Sequence, residues 1–243
     1  MSICAAKSSR RRYCWLALMA TALVLSACGS SSPSTNTLSS DSNSASTSKS
    51  STSQSACRVV AKPTPKGHQH IPKPTLTLDP SKHYVVSLST NCGKIEIALD
   101  VAQAPKTSAS FAYLVQMGFY NDLTFHRIVS GFVIQGGDPA GNGSGGPGYT
   151  VVEKPPASTQ YTRGVVAMAK TVTDRPGTSA SQFFIVTGTN AGLPAQYAIL
   201  GQVVGGQGTV RAISKVATKV GPDGEDSTPS IPIVIDKATL LVN

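Results

Sequence analysis

The chain has 243 residues, enough for one or two domains, and its 40% apolar and 14% charged residues permit a packed core without guaranteeing one throughout. Its formal charge of +9 is partly terminal: without Lys7, Arg10, Arg11 and Arg12 the basic residues fall from 21 to 17 against 12 acidic ones, a net of +5. The remaining charge is scattered, with no basic stripe and no aromatic interleaving, which excludes a nucleic-acid-binding reading and leaves only weak attraction to an anionic surface.

Residues 1–27 read as an export signal. The four basic residues precede an apolar run from Trp15 to Leu25, which small residues close and which is too short for a comfortable membrane span. Leu25-Ser26-Ala27-Cys28 resembles the lipobox of bacterial lipoproteins. That resemblance implies cleavage before Cys28, acylation of Cys28 and stable anchoring at the extracytoplasmic face of the cell membrane. The alternatives are an ordinary secretory signal with an incidental Cys and an uncleaved anchor helix. Residues 28–56 are almost wholly Ser, Thr, Asn and Ala, the composition of a flexible tether. Residues 57–82 carry Pro63, Pro65, Pro72, Pro74 and Pro80 among lysines, which favours extended backbone. Cys4 and Cys14 fall in the signal and Cys28 is the lipid site. Cys57 and Cys92 remain, an even pair in an exported chain and so a candidate disulfide; two unrelated thiols are the alternative. His68-Gln69-His70 offers two imidazoles without a third ligand nearby, which does not make a metal site.

The globular part spans residues 83–243. Tyr84–Leu88 and Lys94–Leu99 alternate with period two around the turn at Thr90–Gly93, a hairpin pattern. Pro105 opens a helix whose apolar face is Phe111, Leu114 and Val115 and which Gly118 ends. Short strands are predicted near Phe125–Val129, Val133–Gln135, Val165–Ala169, Phe183–Thr187 and Ala198–Val203. A second helix is predicted from Gly208 to Ala217, and strands at Ile231–Ile235 and Thr239–Val242 close the chain. The pattern predicts a mainly β fold: a closed eight-stranded antiparallel β-barrel capped by two α-helices.

Two blocks carry the chemistry. In Phe125-His126-Arg127-Ile128-Val129-Ser130-Gly131-Phe132-Val133-Ile134-Gln135-Gly136-Gly137-Asp138, an Arg, a Phe and a Gln are interleaved with strand residues. Arg127 and Gln135 can share a side, although the Ser130-Gly131 break interrupts strict parity. The second block runs from Gly164-Val165-Val166-Ala167-Met168-Ala169 to Ser181-Gln182-Phe183-Phe184-Ile185. His126 tempts an acid–base role, but alternation turns it away from Arg127 and a structural role is expected. The Gly-rich stretch 136–148 lacks the Gly-Lys-Ser/Thr of a phosphate loop, and Ser144 and Ser181 lack a nucleophile-elbow pattern. Taken singly, Phe132 and Phe184 read as core, Arg127 as a surface cation, and Gln135 and Gln182 as partners for loop backbone. Their joint spacing inverts those readings.

The two blocks resemble the signature of the cyclophilin-type peptidyl-prolyl cis–trans isomerases, over roughly His83 to Val242 and in the same order. The resemblance implies that Arg127 is the catalytic Arg, Phe132 the pocket Phe and Gln135 the Gln that holds substrate backbone. It places Val133 where many members have Met, and Ala169 at a backbone-binding position. Gln182 and Phe184 match the next substrate-binding pair, and Leu193 a pocket Leu. Three positions depart from the pattern. Lys170 replaces an Asn and is expected to favour acidic residues near the Pro. Tyr197 replaces a His. Gly192 stands where many eukaryotic members have Trp, which implies weak binding of cyclosporin-type ligands.

The implied function is isomerisation of X-Pro bonds in proline-containing polypeptides outside the cytosol, by a monomer that needs no cofactor and no metal. Two other classes compete: a Pro-peptide-binding or chaperone-like module with little turnover, and a surface adhesin, which only the anchor and tether suggest.

Overall fold

The computed structural model describes residues 57–221 and 224–243. The expected signal, the Cys28 lipid site and the tether lie outside the described residues. Among those described, no helix is long and apolar enough to cross a membrane.

The first hairpin shows how sequence becomes sheet. In β1 (Tyr84–Thr90) and β2 (Gly93–Leu99) alternate side chains are buried, among them Val86, Leu88, Ile95 and Ile97. Further strands are β3 (Leu123–Val129), β4 (Val133–Asp138), β6 (Val165–Met168), β8 (Phe183–Val186), β9 (Ile199–Gly205) and β12 (Val234–Val242). With the hairpin they close an antiparallel barrel in the order β1-β12-β3-β4-β8-β6-β9-β2, the predicted architecture. Helix α1 (Pro105–Gln116) lies against β12 and β9, and α2 (Gln207–Ser214) against β2, β3 and β4.

Both ends of α1 are satisfied. At its start the Glu153 carboxylate accepts from the N–H groups of Lys106 (3.1 Å) and Thr107 (2.8 Å), placing a negative charge at the positive end of the helix dipole. At its end Gly118 takes φ +67°, and the Gly118 and Phe119 N–H groups return to the Val115 and Leu114 carbonyls. Inside the barrel, Phe111 of α1 packs on Tyr120 (ring centroids 4.6 Å) and Phe183 (5.5 Å), and Phe125 packs on Phe183 (5.8 Å).

Three features differ from the sequence reading. Of the predicted terminal strands Ile231–Ile235 and Thr239–Val242, residues 231–233 form no strand and the rest join through residues 236–238 into one strand, β12. Thr90 pairs with Ile235 while Ser89 pairs with Lys237, so Asp236 is a bulged extra residue rather than a break. Helix α2 stops at Ser214, before the predicted Ala217, with Val210 and Ile213 buried and Val216 only partly so. Two small pairs lie outside the barrel: β5 (Val151–Val152) with β7 (Thr178–Ser179), and β10 (Thr218–Val220) with β11 (Asp226–Pro229). Their polar, exposed or very short sequences carry no period-two signal.

Residues 57–79 form no helix or strand, yet they lie on the barrel as a strap. Lys66 N–H donates to the Pro139 carbonyl (2.8 Å), and the Lys66 ammonium donates to the Asn121 carbonyl (2.6 Å). Ile71, Leu76 and Leu78 pack against the core. Cys57 and Cys92 are joined by a disulfide that closes a loop of sequence separation 35. Beside it, the buried Asn91 amide donates to the Arg58 and Pro232 carbonyls and accepts from Val234 N–H, tying strap, turn and β12 together. For a loop of this length, chain entropy gives the disulfide about 3–4 kcal/mol of stabilisation. Thermal melting in reducing buffer is therefore expected to fall by about 6–15 °C relative to oxidising buffer. An unchanged melting temperature with both thiols titratable would count against a bridge of that strength.

Candidate active site

Strand alternation sorts the barrel wall into two faces. On β8, Phe183 and Ile185 belong to the barrel core, whereas Phe184 and Val186 belong to a separate apolar cluster. On β4, Ile134 points to the core and Val133 to the second cluster; on β6, Val166 and Met168 go in and Ala167 goes out. The second cluster also gathers Phe132, Ala169, Leu193 and Tyr197, which are partly buried. It is an apolar cluster on the face of the barrel wall away from the core.

A polar row crosses this face. Arg127 on β3 is paired in register with Gln135 on β4, Gln135 with Phe184 on β8, and Phe184 with Ala167 on β6. Residues paired this way share a face, and each strand step is about 4.8 Å. Arg127 therefore stands about 10 Å from the Phe184 position by strand spacing, with Gln135 between them. The pairing continues the regular register of Val129 with Val133 and Ile128 with Ile134, and a bulge in β3 follows it. Phe125 pairs with Gly136 and Arg127 with Gln135, so His126 is the extra residue. The bulge lets Phe125 and Ile128 both face the core while Arg127 faces out. His126 is largely buried, and desolvation lowers its pKa from the ordinary imidazole value, with the nearby Asp138 carboxylate opposing. Its ring is neutral at pH 7.

The cluster and its edge are fixed by groups outside the two sequence blocks. The buried Tyr161 hydroxyl donates to the Tyr197 carbonyl (2.7 Å) and accepts from Tyr197 N–H (3.0 Å). Burial raises the Tyr161 pKa, so the hydroxyl stays protonated and keeps its donor. Tyr197 meets Phe184 edge-on at 5.6 Å, and the Lys170 ammonium sits 5.6 Å above the Tyr197 ring. The same ammonium donates to the carbonyls of Thr171 (3.0 Å) and Asp174 (3.2 Å). Phe132 is set by a tight turn: its N–H donates to the Val129 carbonyl, and its carbonyl accepts from Thr187 N–H. Gly188 is obligatory beside that turn, because a Cβ there would overlap the Gly131 carbonyl.

Gln135 and Gln182 form a chain. Gln135 Nε2 donates to Gln182 Oε1 (3.1 Å), and Gln182 Nε2 donates to the carbonyls of Gly143 (2.9 Å) and Gly145 (3.0 Å). The Gln135 carbonyl oxygen is thereby turned away from Gln182. Ala169 N–H donates to the Gln182 carbonyl (2.8 Å), which fixes the end of β6 against β8. The 139–146 loop that holds Gln182 is itself wound around the buried Asp138, whose carboxylate accepts from the N–H groups of Ala140, Asn142, Gly143 and Gly145.

One contact has no trace in the sequence pattern. Arg127 Nη2 donates to Glu225 Oε2 at 2.8 Å, from the turn that joins β10 to β11. The Arg127 side chain is 25% exposed and that of Glu225 57%, so solvent screens the pair.

The match to known proteins follows this geometry. Residues 85–240 match the family model described as cyclophilin type peptidyl-prolyl cis-trans isomerase/CLD. The chain belongs to the cyclophilin family. Peptidyl-prolyl cis-trans isomerase A of Mycobacterium tuberculosis is 39% identical over 184 residues, covering 68% of this chain and 97% of the relative. Peptidyl-prolyl cis-trans isomerase 4 of Caenorhabditis elegans is 34% identical over 168 residues, covering 67% of this chain and 30% of that one. The crystal structure of a Cryptosporidium parvum cyclophilin type peptidyl-prolyl cis-trans isomerase, in the presence of the dipeptide Ala-Pro, superposes with a TM-score of 0.59 at 30% identity. The superposition covers 65% of this chain and 99% of that one. This cyclophilin is an enzyme of the peptidyl-prolyl isomerase type.

The structure brings nearly all of the proposed site residues of this cyclophilin to one face: Arg127, Gln135 and Phe184 in the row, Phe132, Val133, Ala169, Leu193 and Tyr197 in or against the apolar cluster, and Lys170 and Gln182 at its edge. Gly192 has φ +64°, and a Cβ there would have nothing within 4 Å, so the space beside it is open. Glu225, Tyr161 and Asp138 are contributors that the sequence reading missed. Among the described residues no three His, Cys, Asp or Glu side chains gather into a metal site.

Proposed function

We propose that this cyclophilin isomerises X-Pro bonds in exported polypeptides, working as a monomer on the extracytoplasmic side of a membrane to which Cys28 anchors it. The observation that carries the catalytic reading is the in-register row Arg127–Gln135–Phe184 beside the apolar cluster.

The chemistry required is small. Rotation about a peptide bond faces about 18–20 kcal/mol because of C–N resonance, and proline brings cis and trans close in energy without making their exchange fast. A catalyst needs only to bind the twisted bond better than either planar form. Phe132, Val133, Phe184, Leu193 and Tyr197 hold the Pro ring. Gln135, oriented by Gln182, and the backbone at Ala169 hold the chain on one side of the bond. Arg127 donates to the imide nitrogen as it becomes pyramidal and steadies the substrate carbonyl. The open space beside Gly192 removes a contact surface for cyclosporin-type ligands, whose binding is weak in this reading.

Acceleration of cis–trans exchange of an X-Pro peptide in a protease-coupled assay is the expected result. Tight binding of the same peptide with no acceleration would leave the enzyme reading without support and favour a Pro-peptide-binding module. The anchor has its own test: the full chain is expected in the detergent phase of a phase-partition experiment, and Cys28→Ser is expected to lose lipid labelling. A Cys28→Ser variant that still incorporates labelled fatty acid would overturn the anchor.

A further inference from the structure

The strap contributes to the groove beside the Pro pocket. Gln69 N–H donates to the Gly146 carbonyl (3.4 Å) and Ile71 N–H to the Pro147 carbonyl (2.8 Å), laying residues 69–71 along the loop that holds Gln182. Gly148 admits this approach. It has φ +93°, and a Cβ there would come within 2.7 Å of the Gln69 carbonyl oxygen. Ile71 packs on the core, while His68 and His70, at alternate positions, stay exposed and line the groove. The groove has a volume of about 1220 Å³ and is continuous with Gln135, Ala169 and Gln182. That is large even for a small-molecule pocket, and it has room for residues flanking a proline.

The groove gathers side-chain N–H donors. His68 and His70 stand on the strap wall and Lys170 also lines the groove. Among the described residues the one carboxylate in the lining is that of Asp174; its Oδ2 accepts from the Thr171 N–H and hydroxyl, both at 2.8 Å, and its charge is near enough to interact with Lys170. Lys170 is steadied by backbone carbonyls, not by a carboxylate hydrogen bond. A carboxylate entering beside the strap meets two imidazoles, each of which carries an N–H donor even when neutral, and shares the Lys170 ammonium with Asp174.

We infer that His68 and His70 are specificity-determining residues. With Lys170 they form a wall that takes an acidic residue in the substrate segment flanking the isomerised proline. The inference rests on the isomerase reading above and deepens it, since a barrel strand supplies none of the strap's donors. The test compares two peptides that differ only by Glu or Gln at each flanking position in turn, with the full chain and with a His68→Ala/His70→Ala double variant. At one or more positions the full chain is expected to prefer Glu by about five- to tenfold in kcat/KM, and the double variant to bring that ratio below about twofold. Melting temperatures and Ile71 contacts in NMR spectra report that the strap remains docked. Binding of both peptides by fluorescence anisotropy gives the same ratio independently of turnover. Peptides that bind with the Glu preference but are not isomerised would sink the isomerase reading and leave the wall standing. A full chain that treats Glu and Gln alike at every position, or a double variant with a docked strap that keeps the preference, would overturn the wall.

Discussion

Arg127→Ala is expected to lower kcat/KM for an X-Pro peptide by about 10²- to 10³-fold, the usual cost of removing one preorganised donor aimed at developing charge. The fold is expected to survive. The Arg127 side chain is part-exposed and its ion pair with Glu225 is screened, so losing the pair costs about 0–1 kcal/mol. In a domain of this size that moves the melting temperature by no more than about 4 °C. The same magnitude decides what Glu225 does. A pair worth so little cannot hold the guanidinium against a substrate that offers a carbonyl and a proline nitrogen in a dry pocket. It can only bias where the side chain waits. Glu225→Gln, which keeps an oxygen acceptor and removes the charge, is accordingly expected to change kcat/KM by less than about fivefold. Arg127→Lys keeps the charge but loses the planar fork, and is expected to recover only part of the activity. A well-folded Arg127→Ala with rates near those of the unsubstituted chain would overturn the mechanism. A hundredfold loss in Glu225→Gln would instead make that carboxylate a positioning group for Arg127.

The barrel was legible because it is written in alternation, and the outer cluster because its two blocks resemble the family's signature. Phe183-Phe184 is a pair of adjacent rings, and period two sends one to the core and the other to the site. In the structure the same rule separates Val133 from Ile134. Alternation failed where a strand carries an extra residue. His126 and Asp236 are bulges, and a polar residue in a bulge looks the same in sequence as a polar residue that ends a strand. What was not legible is held by partners far along the chain. Glu153 caps α1 from a separation of 46–47 residues, Tyr161 fixes Tyr197 from 36, and Glu225 reaches Arg127 from 98. The strap was read as Pro-rich extended chain from composition, and composition says nothing about which carbonyls it will meet. Its docking depends on the Pro139, Gly146 and Pro147 carbonyls, in a loop that reads from its sequence only as Gly-rich.

That loop sets the second large effect. Asp138→Ala is expected to destabilise the domain by about 3 kcal/mol or more and to lower kcat/KM by about tenfold, a loss in excess of any unfolding at the assay temperature. The carboxylate is 1% exposed and satisfies the N–H groups of Ala140 (2.9 Å), Asn142 (2.8 Å), Gly143 and Gly145 (2.8 Å). Removing it strands these donors in a space where a Cβ on Gly145 would already overlap the carboxylate oxygen. Each unsatisfied buried donor costs about 1–3 kcal/mol before water enters, and partial hydration brings the total down. The expected fall in melting temperature is about 6–12 °C. The activity loss has a separate route. The Gly143 and Gly145 carbonyls that this loop presents are the acceptors for Gln182 Nε2, and Gln182 Oε1 is the acceptor for Gln135 Nε2. A loosened loop frees Gln182 to rotate, and Gln135 then samples amide orientations that cannot hold a substrate chain. Asp138→Asn separates the two routes. Its amide keeps one acceptor and turns an NH2 towards backbone donors, so it is expected to be destabilised less than Asp138→Ala while disturbing the same loop. If both variants melt well below the unsubstituted chain yet keep full kcat/KM, Gln135 is held without the loop and the relay from Asp138 is wrong. If activity falls in step with the disorder of the Gln182 side-chain amide in NMR spectra, the orientation of the proline-binding face is set by a carboxylate that never touches substrate.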